Sequence, residues 1–167
     1  MNRRLFLAAL PAALVAGCGF KLRRTDGIPF ASLYVDAPPG SAVAQRIRTL
    51  LRSDKATRLV AAASEAEAVL KLVREERTKT ILSLSGGGRV TEYRLGLHLD
   101  YSVSSRDERA LAASESIELN RDLTYDDAQL LAKGAEEQLL YRDMEDNAAL
   151  RIVRRLQSLK PGNGTSS

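Results

Sequence analysis

At 167 residues, 44% of them hydrophobic and 28% charged, the chain carries enough apolar material for one core and reads as a single globular domain. Lys and Arg total 25 against 21 Asp and Glu, and two of the arginines fall in a leader expected to be removed, so the residual positive excess is too small to call for nucleic acid. A single cysteine excludes an internal disulfide framework.

The chain opens on a targeting signal. Arg3 and Arg4 give a positive start, Leu5 to Val15 form an apolar stretch broken by Pro11, and small Ala16 and Gly17 stand directly before Cys18. The apolar run is well short of the ~20 residues a spanning helix needs. Leu14-Val15-Ala16-Gly17-Cys18 resembles a bacterial lipobox, which makes residues 1–17 a lipoprotein signal peptide and Cys18 the lipidated first residue. The plainer alternative, a secretory signal with a stray cysteine, fits less well because unpaired cysteines are uncommon in exported proteins. Lipidation would fix the domain to a membrane, since each buried methylene contributes about 0.8 kcal/mol and more than one acyl chain is needed to hold stably. Gly19 rather than Asp follows the cysteine, which points to the outer membrane. Arg3-Arg4-Leu5-Phe6-Leu7 also looks like a twin-arginine export motif, so the export route stays open.

In the mature chain, Ser32 to Asp36 is rich in strand formers and is stopped by Pro38-Pro39-Gly40. Val43, Ile47, Leu50 and Leu51 then recur at helical spacing, predicting a helix from Ala42 to Arg52 with Ser41 as its cap. Leu59 to Ala63 is an ambiguous short strand. Val69 to Ser85 has strand character at both ends and charge between, consistent with a bulge or bend. Gly86-Gly87-Gly88 supplies a permissive hairpin turn, whereas a phosphate loop would need a following Gly-Lys-Ser/Thr and a helix.

The clearest pattern comes next. Tyr93, Leu95, Leu97, Leu99, Tyr101 and Val103 alternate without a miss against Arg94, Gly96, His98, Asp100 and Ser102, predicting a strand buried on one face only. Arg106 to Arg109 makes a charged turn, and Leu111, Ala113, Ile117 and Leu119 continue as a further strand through about Leu119. Thr124-Tyr125-Asp126-Asp127 matches a capping box opening one long helix from Ala128 to Leu159, with Gly134 as a local weak point. Residues 161–167 are a polar tail expected to be disordered, leaving 18–160 as the domain. The fold class is α+β: a two-layer sandwich, with a mainly antiparallel sheet of about four strands carrying two helices on one face.

Chemistry is sparse. His98, the sole histidine, sits on the polar face of a regular strand and suits a surface role better than catalysis. With no second histidine and no free thiol after lipidation, nucleophile–base pairs and metal clusters cannot be assembled. Glu136 with Glu137, and Asp126 with Asp127, are adjacent carboxylates that point to different sides of a helix and read as solvated charge or capping. The expectation is therefore a non-enzymatic protein with no cofactor and no metal.

The opening Cys18-Gly19-Phe20-Lys21-Leu22-Arg23 resembles that of the LptE lipoproteins of lipopolysaccharide assembly. Thr91-Glu92-Tyr93-Arg94-Leu95 and the strand to Val103 are similar to that family's central strand. Arg121 to Asp126, then Leu131-Ala132-Lys133, Glu137, Leu140, Met144, Ala148, Ala149 and Arg154-Arg155-Leu156 look like its last strand and C-terminal helix. Arg24, where the family often has glycine, and the triple glycine at 86–88 depart from its pattern. The resemblance implies an outer-membrane lipoprotein seated in the β-barrel LptD, aiding that barrel's folding and binding lipopolysaccharide. Lipid A carries phosphates, so Arg89, beside the glycine turn, and Lys133, at the Leu-Ala-Lys position, are the candidate lipopolysaccharide contacts. Solvated surface charge is the bland alternative for both. The runner-up function is an auxiliary lipoprotein of a phospholipid transporter, and the rival of another class is a periplasmic carboxylate-dependent hydrolase.

Overall fold

The computed structural model describes residues 27–53 and 57–159. The expected signal peptide at 1–17, Cys18 and the expected tail at 161–167 lie outside the described residues. Strand β1 (Ser32–Asp36) leads into helix α1 (Ala42–Ser53), both close to their expected bounds. Strand β2 (Arg58–Leu59) pairs parallel with β1 and is followed by a 3₁₀ turn at Ala63–Glu65, so the ambiguous strand is shorter and earlier than Leu59 to Ala63. Two adjacent parallel strands require a crossover between them, and α1 is that crossover.

Three long strands follow: β3 (Ala68–Leu84), β4 (Val90–Ser105) and β5 (Ala110–Thr124). The sheet order is β2-β1-β3-β4-β5. It has five strands rather than about four, because β2 adds a short edge; β1 joins β3 in parallel, while the long β3-β4-β5 block is antiparallel. The anticipated irregularity in β3 falls between Leu72 and Arg74 and again between Ile81 and Leu84. Helix α2 (Leu130–Ser158) is one continuous helix of 29 residues, about 44 Å at ~1.5 Å per residue. It runs unbroken through Gly134, whose position faces open space.

The capping expectation needs correction. Thr124 belongs to β5, which extends past Leu119 so that Leu123 can bury beneath α2. Asp126 is the cap instead: its carboxylate accepts the Ala128 N–H at 3.0 Å and opens a 3₁₀ turn, Asp127–Gln129, ahead of α2. At α1, Ser41 caps as expected, accepting from the Ala44 N–H at 2.9 Å. Glu75 of β3 adds a charge at the same helix end, accepting from the Ser41 hydroxyl and from the Val43 N–H at 3.4 Å, where a carboxylate suits the helix dipole.

Both helices cover one face of the sheet. Leu33, Leu70, Leu95, Leu97, Leu99 and Leu123 from the strands meet Ile47, Leu51, Met144, Ile152 and Leu156 from the helices, all nearly solvent-free. Ala44, Ala148 and Ala149 are buried as well, and their small side chains suit close helix packing. The helix side also holds one buried charge, Glu145, which pairs with the Arg77 guanidinium from β3; Arg77 in turn lies 4.9 Å from the Tyr141 ring centre.

Leu97→Asp or Leu99→Asp should destabilise the domain by about 3 kcal/mol or more, because each places a carboxylate under the helices without a partner. Urea unfolding reads this directly. A change below about 0.5 kcal/mol in either variant would contradict the assigned face.

Candidate functional site

The face of the sheet opposite the helices carries no covering element among the described residues, and the alternation in β4 makes it polar. The antiparallel register sets its side chains in rungs: Arg74, Asp100 and Ser116; Glu76, His98 and Glu118; Thr78, Gly96 and Asn120; Thr80, Arg94 and Asp122. These groups largely satisfy one another. Arg94 grips Asp122 with two parallel hydrogen bonds of 2.8 and 3.1 Å, and Arg74 pairs with Glu76 along its own strand. Ser116 donates to Asp100, and His98 Nε2 lies 3.1 Å from the same carboxylate while its Nδ1 lies 3.4 Å from Glu118. Glycine suits position 96, since a Cβ there would meet the Thr78 hydroxyl at 2.3 Å and force that side chain to turn. The four carboxylates of Glu76, Asp100, Glu118 and Asp122 outnumber the basic side chains of these rungs, Arg74, Arg94 and His98, so this face does not attract anions.

The hairpin joining β3 to β4 closes through Ser85, whose N–H donates to the Arg89 carbonyl at 2.8 Å and whose hydroxyl accepts the Arg89 N–H at 3.2 Å. Gly88 has φ 76°, the left-handed value for which glycine suits this turn. The β4–β5 turn repeats the same pattern: Ser105 N–H to Arg109 carbonyl at 2.8 Å, and Arg109 N–H to the Ser105 hydroxyl at 3.2 Å. There Glu108 occupies the left-handed position with φ 61°. The two turns differ in charge. Asp107 lies 4.0 Å from Arg106 and 3.7 Å from Arg109, so cations and anion offset one another. Arg89 is exposed on a glycine-rich turn and forms no salt bridge among the described residues.

Lys133 behaves differently from Arg89. Its ammonium lies 2.9 Å from Glu136, and its side chain is only 17% exposed. The neighbouring Glu137 turns to β3 and pairs with Lys79 at 2.6 Å; that bond, above all, raises the Lys79 pKa. Lys79 also lies 4.3 Å from the Tyr93 ring centre, and Tyr93 meets Tyr125 edge to face at 5.1 Å. The two adjacent carboxylates thus serve separate ion pairs, as their helical positions demand. Arg89 lies in the β3–β4 hairpin and Lys133 in the first turn of α2, and each makes its own hydrogen bonds there. Sequence reasoning missed the Lys133–Glu136 pair, although its i, i+3 spacing was visible. It also missed Lys79, whose partner is distant in the chain. Among the described residues, no group of three or more His, Cys, Asp or Glu is arranged to hold a metal ion.

This one-sided sandwich is the architecture of solved bacterial lipoproteins. The chain is similar to the solution structure of an uncharacterized lipoprotein B from Nitrosomonas europaea, with TM-score 0.74 and 35% identity, covering 84% of this chain and 91% of that one. It is also similar to the crystal structure of rare lipoprotein B from Shewanella oneidensis, with TM-score 0.65 and 29% identity, covering 76% and 94%. The LPS-assembly lipoprotein LptE of Photorhabdus laumondii is 29% identical over 153 residues, 90% of this chain and 82% of that relative. That of Pectobacterium atrosepticum is 27% identical over 164 residues, covering 95% and 88%. The LptE family model, described as lipopolysaccharide-assembly, matches residues 30–156, and the chain belongs to this family.

The polar ladder has a defined pH response. Ser116 and then His98 hold the Asp100 carboxyl below its usual pKa, and Arg94 does the same for Asp122. A carboxylate whose pKa is depressed on folding adds stability above its unfolded value, and that contribution fades as pH falls through the folded value. The ladder should therefore stay intact at neutral pH and loosen only below about pH 4. Ser116→Ala should raise the Asp100 titration midpoint, measured by carboxyl-carbon NMR. An unchanged midpoint would show that the Ser116 bond does not hold this carboxylate.

Proposed function

We propose that this chain is a non-enzymatic outer-membrane lipoprotein, anchored through Cys18, that occupies the LptD β-barrel and binds lipopolysaccharide during its assembly. The observation that carries the reading is the open sheet face: long, polar and already internally paired. Such a face loses little on meeting a hydrophilic barrel interior, because its groups keep their partners when water is displaced. An apolar face would have to exclude that setting, and an unpaired polar one would be penalised on burial.

Lipopolysaccharide binding falls to the hairpin end. The acidic sheet face repels phosphate and the other turn is charge-balanced, whereas Arg89 is an exposed cation on the glycine turn, able to meet a lipid A phosphate with paired donors. Lys133 is the second contact, reached when a phosphate displaces Glu136. Each charge-assisted bond is worth about 1.5–3 kcal/mol, so Arg89→Glu with Lys133→Glu should weaken lipopolysaccharide binding at least tenfold while the fold is retained. Equal affinity for the double variant and the parent would make both ordinary surface charges.

The whole reading is tested by purifying the full chain from detergent-solubilised outer membranes. Stoichiometric recovery of LptD is expected, and recovery of phospholipid-transporter subunits instead would reassign the protein. Cys18→Ala should leave the domain folded yet, in cells lacking the barrel, release it from membrane fractions. Retention of that variant on the outer membrane would contradict lipid anchoring.

A further inference from the structure

The exposed apolar side chains are unevenly spread. Of the eight large ones among the described residues, Val73, Leu139 and Leu150 stand apart, while Ile81, Leu82 and Leu84 fall in the last residues of β3 and Leu130 and Leu131 in the first turn of α2. Leu131 is 91% exposed, and Ile81, Leu84 and Leu130 are each more than half exposed. A cluster of this kind is more than the scattered single leucines of an ordinary surface.

The ion pairs of α2 place these residues at one level. Glu137 contacts Lys79, Glu145 contacts Arg77, and Arg155 contacts Glu115 near the far end of β5, so α2 runs from the hairpin end towards the opposite end. Going back from Glu137 to Leu131 and Leu130 covers roughly 9–11 Å along the helix at ~1.5 Å per residue. Going forward from Lys79 to Ile81 and Leu84 covers roughly 7–16 Å at ~3.3 Å per residue. The exposed apolar side chains at the end of β3 and in the first turn of α2 therefore lie at one level of the molecule, on the hairpin side of the Lys79–Glu137 pair, with Arg89 in the hairpin beyond them.

We propose that these side chains together make an apolar shelf that receives the acyl chains of the lipid whose phosphates meet Arg89, so that the hairpin end recognises a whole anionic amphiphile rather than a headgroup alone. The proposal rests on the lipopolysaccharide-binding reading above and adds the apolar half of the ligand. Charge and polarity select this occupant. A hydrophilic barrel wall gives the leucines nothing apolar to meet. A second copy of this chain, docked shelf to shelf, would bring two Arg89 guanidiniums together. An acylated, phosphorylated lipid satisfies both the apolar surface and the cation beside it, and the acidic sheet face keeps its phosphates at this end.

The test compares binding of two probes to the full chain, immobilised at fixed detergent concentration: lipopolysaccharide with its acyl chains, and the same lipopolysaccharide chemically deacylated with its phosphates retained. The parent chain should prefer the acylated form at least tenfold. Leu130→Gln with Leu131→Gln, a helix-compatible change at exposed positions, should remove most of that preference and leave the deacylated form bound as before. Thermal melting followed by circular dichroism checks that the variant is folded; if it is not, Leu131→Gln alone, at the more exposed position, serves with a smaller expected loss. Unchanged preference in a folded variant overturns the shelf while leaving headgroup binding standing. Failure of the parent to bind either probe overturns the lipopolysaccharide reading itself. Normal preference with loss of LptD copurification would make the shelf a barrel contact, and equal loss of binding to phosphatidylglycerol vesicles would make it a bilayer contact; either result overturns the proposal.

Discussion

The structure depends on the two-faced character of β4. Its odd-numbered residues from Leu95 to Val103 are buried, while Arg94, His98 and Asp100 face the other way with both long neighbours paired to them. Because strand side chains alternate strictly, one choice of face fixes everything around it. The helices must lie over the leucines, and the opposite face must be polar and open. A slip of one residue would put Leu97 and Leu99 into water and Arg94 and Asp100 under α2, a cost no local contact offsets.

From that constraint the molecule divides by task. The helix side holds the fold together, with the buried Glu145 paired to Arg77 and the partly buried Glu75 set at the start of α1. The sheet side is a self-paired surface that can be covered without leaving charges stranded. The ends differ again: one turn is charge-balanced around Asp107, the other presents Arg89 beside exposed leucines. Membership of a lipopolysaccharide-assembly family fits the proposed reading of this division, in which one face meets a polar partner and one end an amphiphile.

Much of this was legible in the residues because it is periodic. The β4 alternation, the α1 spacing and the glycine turn are local patterns, and β1 and α1 fell close to their expected bounds. The misses share a physical cause, namely dependence on partners remote in sequence. The two residues of β2 have no pattern of their own and are strand only because β1 lies beside them. Thr124 looked like a cap until pairing with Glu92 drew it into β5, passing the capping role to Asp126. Arg89 and Lys133 looked alike as cations at element ends, yet one is exposed on its turn and the other lies folded against Glu136. The contacts of Lys79 with Glu137, and of Arg77 with Glu145, cross from strand to helix and could not be read from spacing.

The central claim is that the open polar face, and not the helix face, meets the barrel. Photocrosslinking in intact cells tests it most directly, with a photoreactive residue placed singly at Thr80, His98 or Asn120 on the sheet face and at Arg142 or Arg151 on the exposed side of α2. The account predicts strong crosslinks to LptD from the three sheet positions and weak or absent ones from the helix. Crosslinks confined to the helix positions would contradict it.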